Sequence, residues 1–339
     1  MTRVDVPWFE DLPPGEEFDA PAVTLTTGQS ALYQAITGDR LRLALDHGAA
    51  RAVTGAAEPL AHPLLAINMA IGQTTWATQR VKANLFYRGL TLMKTVCLGD
   101  SLYTRTRVIA AHRNQLREQR EATGLVALEI TTRNQRNETV LHFWRCAMVA
   151  CRDRLPTEGG TGNEIERVGR DFDVTLPERI AADYASRWQV AAWASGLSGR
   201  RAAQFAPGET MSLTPRDTVS LAPELVRLTL NLAMTHTDAG ASYLGERLVY
   251  GGHVIALAFA QLTRLMPNLL TLISWDECSH TAPVLEGDRL RSEARVLESK
   301  QIGDLALQRI RVVSYAARGT IQHESEQQAL DWTLTALSL

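Results

Sequence analysis

The sequence predicts an α+β protein made of two copies of one unit, each a long apolar helix wrapped by an antiparallel sheet. Three observations predict it. Four landmarks recur in the same order in both halves, each half has a central segment that is apolar on every side, and a strict two-residue alternation follows that segment.

The landmarks stay nearly in step. Pro14-Gly15-Glu16 returns as Pro207-Gly208-Glu209, a shift of 193, and Gly38-Asp39 through Asp46 aligns with Leu230-Asn231 through Asp238, a shift of 192. His62, ahead of LLAINMAIGQ, matches His253 ahead of VIALAFAQL at a shift of 191, and Gly99-Asp100-Ser101-Leu102 matches Gly287-Asp288-Arg289-Leu290 at 188.

Within each half the elements follow from local pattern. From Val254 to Met266 the apolar residues Val254, Ile255, Leu257, Phe259, Leu262 and Leu265 fall all round a helix, so other structure must surround it. Downstream, Leu102, Thr104, Thr106 and Val108 share one strand face and Tyr103, Arg105 and Arg107 the other. Leu290, Ser292, Ala294 and Val296 repeat this against Arg289, Arg291, Glu293 and Arg295. Further strands are expected at Leu125 to Thr132 and Val140 to Val149, joined by the turn-rich NQRNET, and at Leu305 to Tyr315 and Gln328 to Leu337. Asp100 and Asp288, each after a glycine and before a strand, read as turn residues. Between the halves, LPTEGGTGNE at Leu155 to Glu164 reads as a linker, and Pro177 to Ala194 as a helix with Ile180, Tyr184, Trp188 and Ala191 on one stripe. The expected division is residues 1–154, a linker with a connecting helix at 155–206, and residues 207–339.

Composition narrows the function. The 339 residues, 45% of them apolar, can fill a substantial core. A formal charge of -2, with no dense run of Arg or Lys, argues against nucleic acid. Cys97, Cys146, Cys151 and Cys278 lack the CxxC spacing of metal or redox sites, which fits reduced thiols. No run of 18 apolar residues occurs and MTRVDVPWFEDLPPGEEF has no apolar targeting core, so the expectation is a soluble cytoplasmic protein with no membrane partner. GGTG at Gly159 to Gly162 lacks the lysine and hydroxyl of a phosphate-binding loop.

The stretch NLAMTHTDAGASYLGERLVYGGHVIALAFAQL, Asn231 to Leu262, carries the chemistry. It places a polar loop with His236, then Gly251-Gly252, directly ahead of the apolar helix. The loop resembles the G-D-x-N-P-(L/I)-H-x-D motif of the MaoC-like hydratases and dehydratases, which are built on the hot-dog fold. The first half, GDRLRLALD, keeps Gly38, Asp39 and Asp46 but has Ala44 at the histidine position. The second, LNLAMTHTD, keeps His236 and Asp238 but has Asn231 at the acid position. RLVYGGHVI, Arg247 to Ile255, is similar to the tandem branch that includes mesaconyl-CoA hydratases. The resemblance implies a double hot-dog fold, an intrachain pseudo-dimer that also permits a homodimer, and hydration of a 2-enoyl-CoA thioester. Coenzyme A is then part of the substrate, and no metal or other cofactor is implied.

Hydration needs a base for water, an acid for the α-carbon and donors for the charge that gathers on the thioester oxygen. His236 suits the base or proton shuttle, because an imidazole titrates near neutrality. Asn231 cannot exchange a proton, but its amide can accept from water and orient it. Backbone N–H groups near Gly252 and His253, at the positive end of the helix, suit the oxyanion, and glycine at 251 and 252 admits the thioester. Tyr250 adjoins this group, either as a substrate contact or as a core aromatic. Asp238 is either an assisting acid or a helix cap, and Asp39 an assisting acid from the other half or a cap. A dicarboxylic acyl group needs a buried cation, for which Arg247 is the first choice. Two other readings stay open: a hot-dog protein that binds acyl-CoA without turnover, and a thioesterase or tailoring dehydratase acting on a carrier-protein substrate.

Overall fold

The computed structural model describes residues 5–118, 120–155, 162–320 and 323–339. Most of the glycine-rich part of the expected linker therefore lies outside the described residues. In the first half, the short strands β1 (Glu17–Asp19) and β2 (Val23–Thr24) precede helices α1 (Thr27–Thr37), α2 (Arg42–Leu45), α3 (His47–Thr54) and α4 (Pro63–Thr74). Four long strands follow: β3 (Val81–Leu92), β4 (Ser101–Arg113), β5 (Thr123–Arg133) and β6 (Thr139–Ala150). Connecting helices α5 (Asn163–Arg167), α6 (Leu176–Arg187) and α7 (Ala191–Ala194) lead to the second half. There β7 (Thr210–Ser212), β8 (Asp217–Thr218), α8 (Ala222–Leu228), α9 (Met234–Thr237) and α10 (Gly251–Leu265) precede β9 (Leu269–His280), β10 (Arg289–Ile302), β11 (Leu305–Thr320) and β12 (His323–Ser338).

The strands form one antiparallel sheet in the order β1-β4-β5-β6-β3-β9-β12-β11-β10-β7, with β2 and β8 paired to β4 and β10. The halves meet where β3 pairs with β9, Tyr87 opposite Cys278 and Leu90 opposite Trp275. This is the double hot-dog fold. Every residue of α4 is buried, as is α10 from Gly252 to Thr263, which is why neither helix shows a polar face in the sequence. The alternating faces of β4 and β10 fall as expected: Leu102, Thr104, Thr106 and Val108, like Leu290, Ser292, Ala294 and Val296, point into the core.

The repeat extends to individual hydrogen bonds. Gln73 Nε2 donates to the Leu102 carbonyl at 3.1 Å and Gln261 Nε2 to that of Leu290 at 3.0 Å, so each wrapped helix ties a buried amide to the matching strand. Asp100 accepts the N–H of Cys97 and Asp288 that of Leu285, both at 2.8 Å, which makes the two aspartates turn residues.

Two features differ from expectation. The connecting helix stops at Arg187, and Trp188 leaves it in extended conformation to stack on Tyr184 with ring centroids 4.8 Å apart. Ile180, Ala181 and Tyr184 then pack against Leu270, Ile273 and Leu337, covering part of the second half's sheet. Strands β3 and β9 have no counterpart among the expected elements. As central strands buried along much of their length they show apolar runs where alternation would otherwise appear. Among the described residues no helix is long and apolar enough to cross a membrane.

Candidate active site

The loop bearing Asn231 and His236 is built by its own half and held by the other. Gly72 of α4 faces it so closely that a Cβ there would stand 1.7 Å from the Thr229 carbonyl oxygen. Thr75 Oγ1 accepts the N–H of Leu232 at 2.8 Å, and the Gln79 carbonyl accepts that of Met234, also at 2.8 Å. The mirror contact exists: the N–H of Arg40 donates to Thr263 Oγ1 at 3.2 Å. Each half's loop thus docks on the other half's wrapped helix.

Between the halves lies a cavity of about 220 Å³. The first half contributes Ile71 from α4, Thr75 just after that helix, Lys82 and Tyr87 from β3, and Arg145 from β6. The second contributes Asn231, Thr235, His236, Tyr250, Gly251 and His280. Among the described residues lining it there is no carboxylate.

His236 Nδ1 lies 2.9 Å from the carbonyl oxygen of Leu248. A carbonyl only accepts, so Nδ1 carries the hydrogen and Nε2 keeps a lone pair with no protein partner among the described residues. Burial holds this imidazole down at about 4, so it is neutral at neutral pH. Its ring sits 5.6 Å from that of Tyr250, whose hydroxyl donates to Asn68 Oδ1 at 3.1 Å. Asn231 Oδ1 accepts the N–H of Ala233 at 2.9 Å, so the side chain first serves as a cap. The amide N–H₂ is the part left without a protein partner among the described residues, where the sequence suggested a water acceptor.

Several expected roles are corrected by this geometry. The absence of side chains at the glycine pair serves packing within the protein, because the space a Cβ would take is already filled. A Cβ at Gly251 would stand 2.4 Å from His280 Nε2, and one at Gly252 would stand 2.1 Å from Asn68 Oδ1 and 2.5 Å from the Tyr250 ring. The N–H of His253 donates to the Tyr250 carbonyl at 2.8 Å, so it is unavailable to an oxyanion. Its ring is wholly buried away from the cavity, with both nitrogens unpartnered among the described residues. Gly251 is the first helical residue of α10 and lines the cavity, which makes its N–H the donor best placed there. Arg247 is exposed, lies 3.6 Å from Glu286 and does not line the cavity, so it cannot be a buried receptor for a carboxylate. Asp238 is exposed and caps the single turn Ala239–Ala241 through Gly240. Asp39 is buried in its own half, accepting the N–H of Leu41 at 2.7 Å with His62 Nε2 3.0 Å away, and does not reach the second half's site.

Three lining residues carry no signal in the motif. His280 ends β9 and is also held near 4, by burial first and by His236 second. Tyr87 lies opposite Arg145 in the sheet. Arg145 was the findable one, since an arginine inside the apolar run FWRCAMV is a charge on a strand that must be buried.

Known proteins support the same architecture. No family model matches the chain. Over 306 residues it is 30% identical to a mesaconyl-CoA hydratase of Cereibacter sphaeroides, covering 88% of this chain and 85% of that protein. The chain belongs to the MaoC-like hydratase and dehydratase family. A second relative, a β-methylmalyl-CoA dehydratase of Chloroflexus aurantiacus, is 27% identical over 91% of this chain and 87% of its own length. Among solved structures, a conserved Mycobacterium tuberculosis protein with a double hot-dog fold is 44% identical with a TM-score of 0.91 and full coverage of both chains. A MaoC-domain protein of Chloroflexus aurantiacus gives 25% and 0.82, covering 98% of this chain and 97% of its own.

Proposed function

We propose that this chain catalyses the reversible addition of water across the double bond of a 2-enoyl-CoA thioester. The observation that carries the reading is the neutral His236, its Nε2 lone pair free and its other nitrogen anchored, in a cavity walled by both halves. Hydratase and dehydratase activities named for the two curated relatives support it.

In the hydration direction, His236 Nε2 takes a proton from water as the oxygen bonds to the β-carbon. The double-bond electrons move onto the thioester as an enolate, met by the N–H of Gly251 at the positive end of α10. The imidazolium then returns its proton to the α-carbon, so water is added overall and the histidine is regenerated. One group serving as both base and acid fits a cavity without a carboxylate. The Asn231 N–H₂ is left to hold the incoming water by donating to its oxygen. The reaction is redox-neutral and calls for coenzyme A only as part of the substrate. The catalytic loop belongs to the unit at 207–339, and residues 1–154 serve as its wall and anchor, with 155–206 connecting them in one cytoplasmic chain.

The test is incubation with a 2-enoyl-CoA in ¹⁸O-labelled water. Label on the β-hydroxyl of an intact thioester supports the proposal, and free thiol without hydroxyacyl product contradicts it. A second reading, acyl-CoA binding without turnover, draws on the missing carboxylate and predicts tight association with no product.

A further inference from the structure

Arg145 is an oddity for any fold. Its side chain is 2% exposed, and burial disfavours its charge. Nη2 donates to Thr78 Oγ1 at 2.5 Å, the Tyr87 hydroxyl is its other side-chain partner, and Nε has none. Tyr87, Tyr250 and Cys146 are the ionisable groups that act on it most strongly, and among the described residues no carboxylate forms an ion pair with it. Arg88, one register step along β3 from Tyr87, shows how the fold treats an arginine it needs for structure. That guanidinium faces Glu277 at 3.4 Å and also donates to the carbonyls of Glu166 and Val168. An arginine keeps its proton in a protein, so Arg145 is a buried cation without a counter-ion among the described residues, a costly arrangement unless something else supplies the anion.

We infer that Arg145 receives a carboxylate at the far end of the substrate's acyl chain, so that the site selects dicarboxylic enoyl thioesters over simple fatty ones. The inference rests on the hydratase reading above. Two observations select this anion. The guanidinium lines the same cavity as His236, Tyr250 and Gly251, so whatever reaches it shares the space of the reacting acyl group. That cavity, about 220 Å³, suits a short acyl group and the end of a thiol arm, while a nucleotide with its hydrated phosphates stays outside. A guanidinium is also the side chain whose flat fork matches a carboxylate, and the unpartnered Nε leaves part of that fork open.

The role differs from a structural one. A residue that only ties β6 to Thr78 and Tyr87 affects every substrate alike, and so does one that steadies the enolate. A carboxylate receptor changes the ratio between substrates. The experiment compares kcat/KM for mesaconyl-CoA and for crotonyl-CoA, which has no distal carboxylate, in the wild type, Arg145→Met and Arg145→Lys. The expected result is a wild-type preference for mesaconyl-CoA that falls by about 10²-fold in Arg145→Met and by less in Arg145→Lys, which keeps the charge but loses the fork. Arg145→Met should also unfold at a higher temperature, because an unpaired buried charge has been replaced by an apolar side chain. Equal losses on both substrates, or no wild-type preference, overturns the inference. If the wild type hydrates neither thioester, the hydratase reading fails instead, and calorimetric binding of succinyl-CoA against butyryl-CoA decides. Tighter succinyl-CoA binding that Arg145→Met abolishes sustains a carboxylate receptor, and equal affinities overturn it.

Discussion

His236 Nδ1 and the Leu248 carbonyl oxygen, 2.9 Å apart, fix which nitrogen of the imidazole faces the cavity. Leu248 is itself pinned, its N–H donating to the Thr235 carbonyl at 3.0 Å, so the ring is clamped between two segments of one loop. Orientation and tautomer therefore come from the backbone.

The first prediction concerns the acid limb of activity. His236 is held at about 4 by burial, below its ordinary 6.5, so kcat/KM should stay high down through pH 6 and fall only on approaching that value. Asn231→Asp keeps an oxygen to cap Ala233 and puts a negative charge into the cavity that also holds the imidazole, favouring its protonated form. The variant should fold, stay at least partly active and show its acid limb moved to higher pH. An unmoved limb in the pH profile contradicts a cavity shared by residue 231 and the base.

A second prediction tests how the loop is held. Gly72→Ala improves helix propensity by about 1 kcal/mol, yet its Cβ would overlap the Thr229 carbonyl, whose 1.7 Å separation only backbone movement can relieve. The net effect should be destabilisation by about 1–3 kcal/mol with a larger loss of turnover. Urea unfolding alongside a rate measurement checks both, and a stabilised, active variant refutes the docking.

Gly251→Ala gives the third. The new methyl meets the His280 ring at 2.4 Å, so the ring must leave the start of α10. Loss of activity with a modest drop in Tm is expected. Wild-type kinetics would show that His280 and the helix terminus need no such contact.

The fourth is a stability slope. His236, His253 and His280 are each held near 4 in the folded chain against 6.5 when exposed. Between those values the unfolded chain binds more protons, so stability rises with pH across the window and is lost as pH falls from 6.5 toward 4. His253→Leu removes one group whose ring nitrogens have no partner to lose, and should flatten the dependence of the urea midpoint on pH. An unchanged slope counts against it.

Much of this was legible in the chain. The turn aspartates Asp100 and Asp288, the alternating faces of β4 and β10, and the loop carrying His236 all announce themselves locally, because periodicity and turn chemistry are local properties. The seam between the halves was not. β3 and β9 are interior strands without clean alternation, and they bring Tyr87 and His280 to the cavity from positions far from the motif. Arg247 drew attention by standing near the motif, while Arg145, about a hundred residues away, is the one the sheet carries to the site. The glycine pair was read as space for substrate, and only the packed structure shows His280, Asn68 and Tyr250 occupying it.

The most direct measurement follows the loss of enoyl-thioester absorbance with wild type and with His236→Gln, each checked by thermal unfolding. The rate should fall about 10²–10⁴-fold in the variant, with its Tm within about 3 °C of the wild type. A folded His236→Gln protein that hydrates the thioester at the wild-type rate would contradict the assignment of His236 as the base.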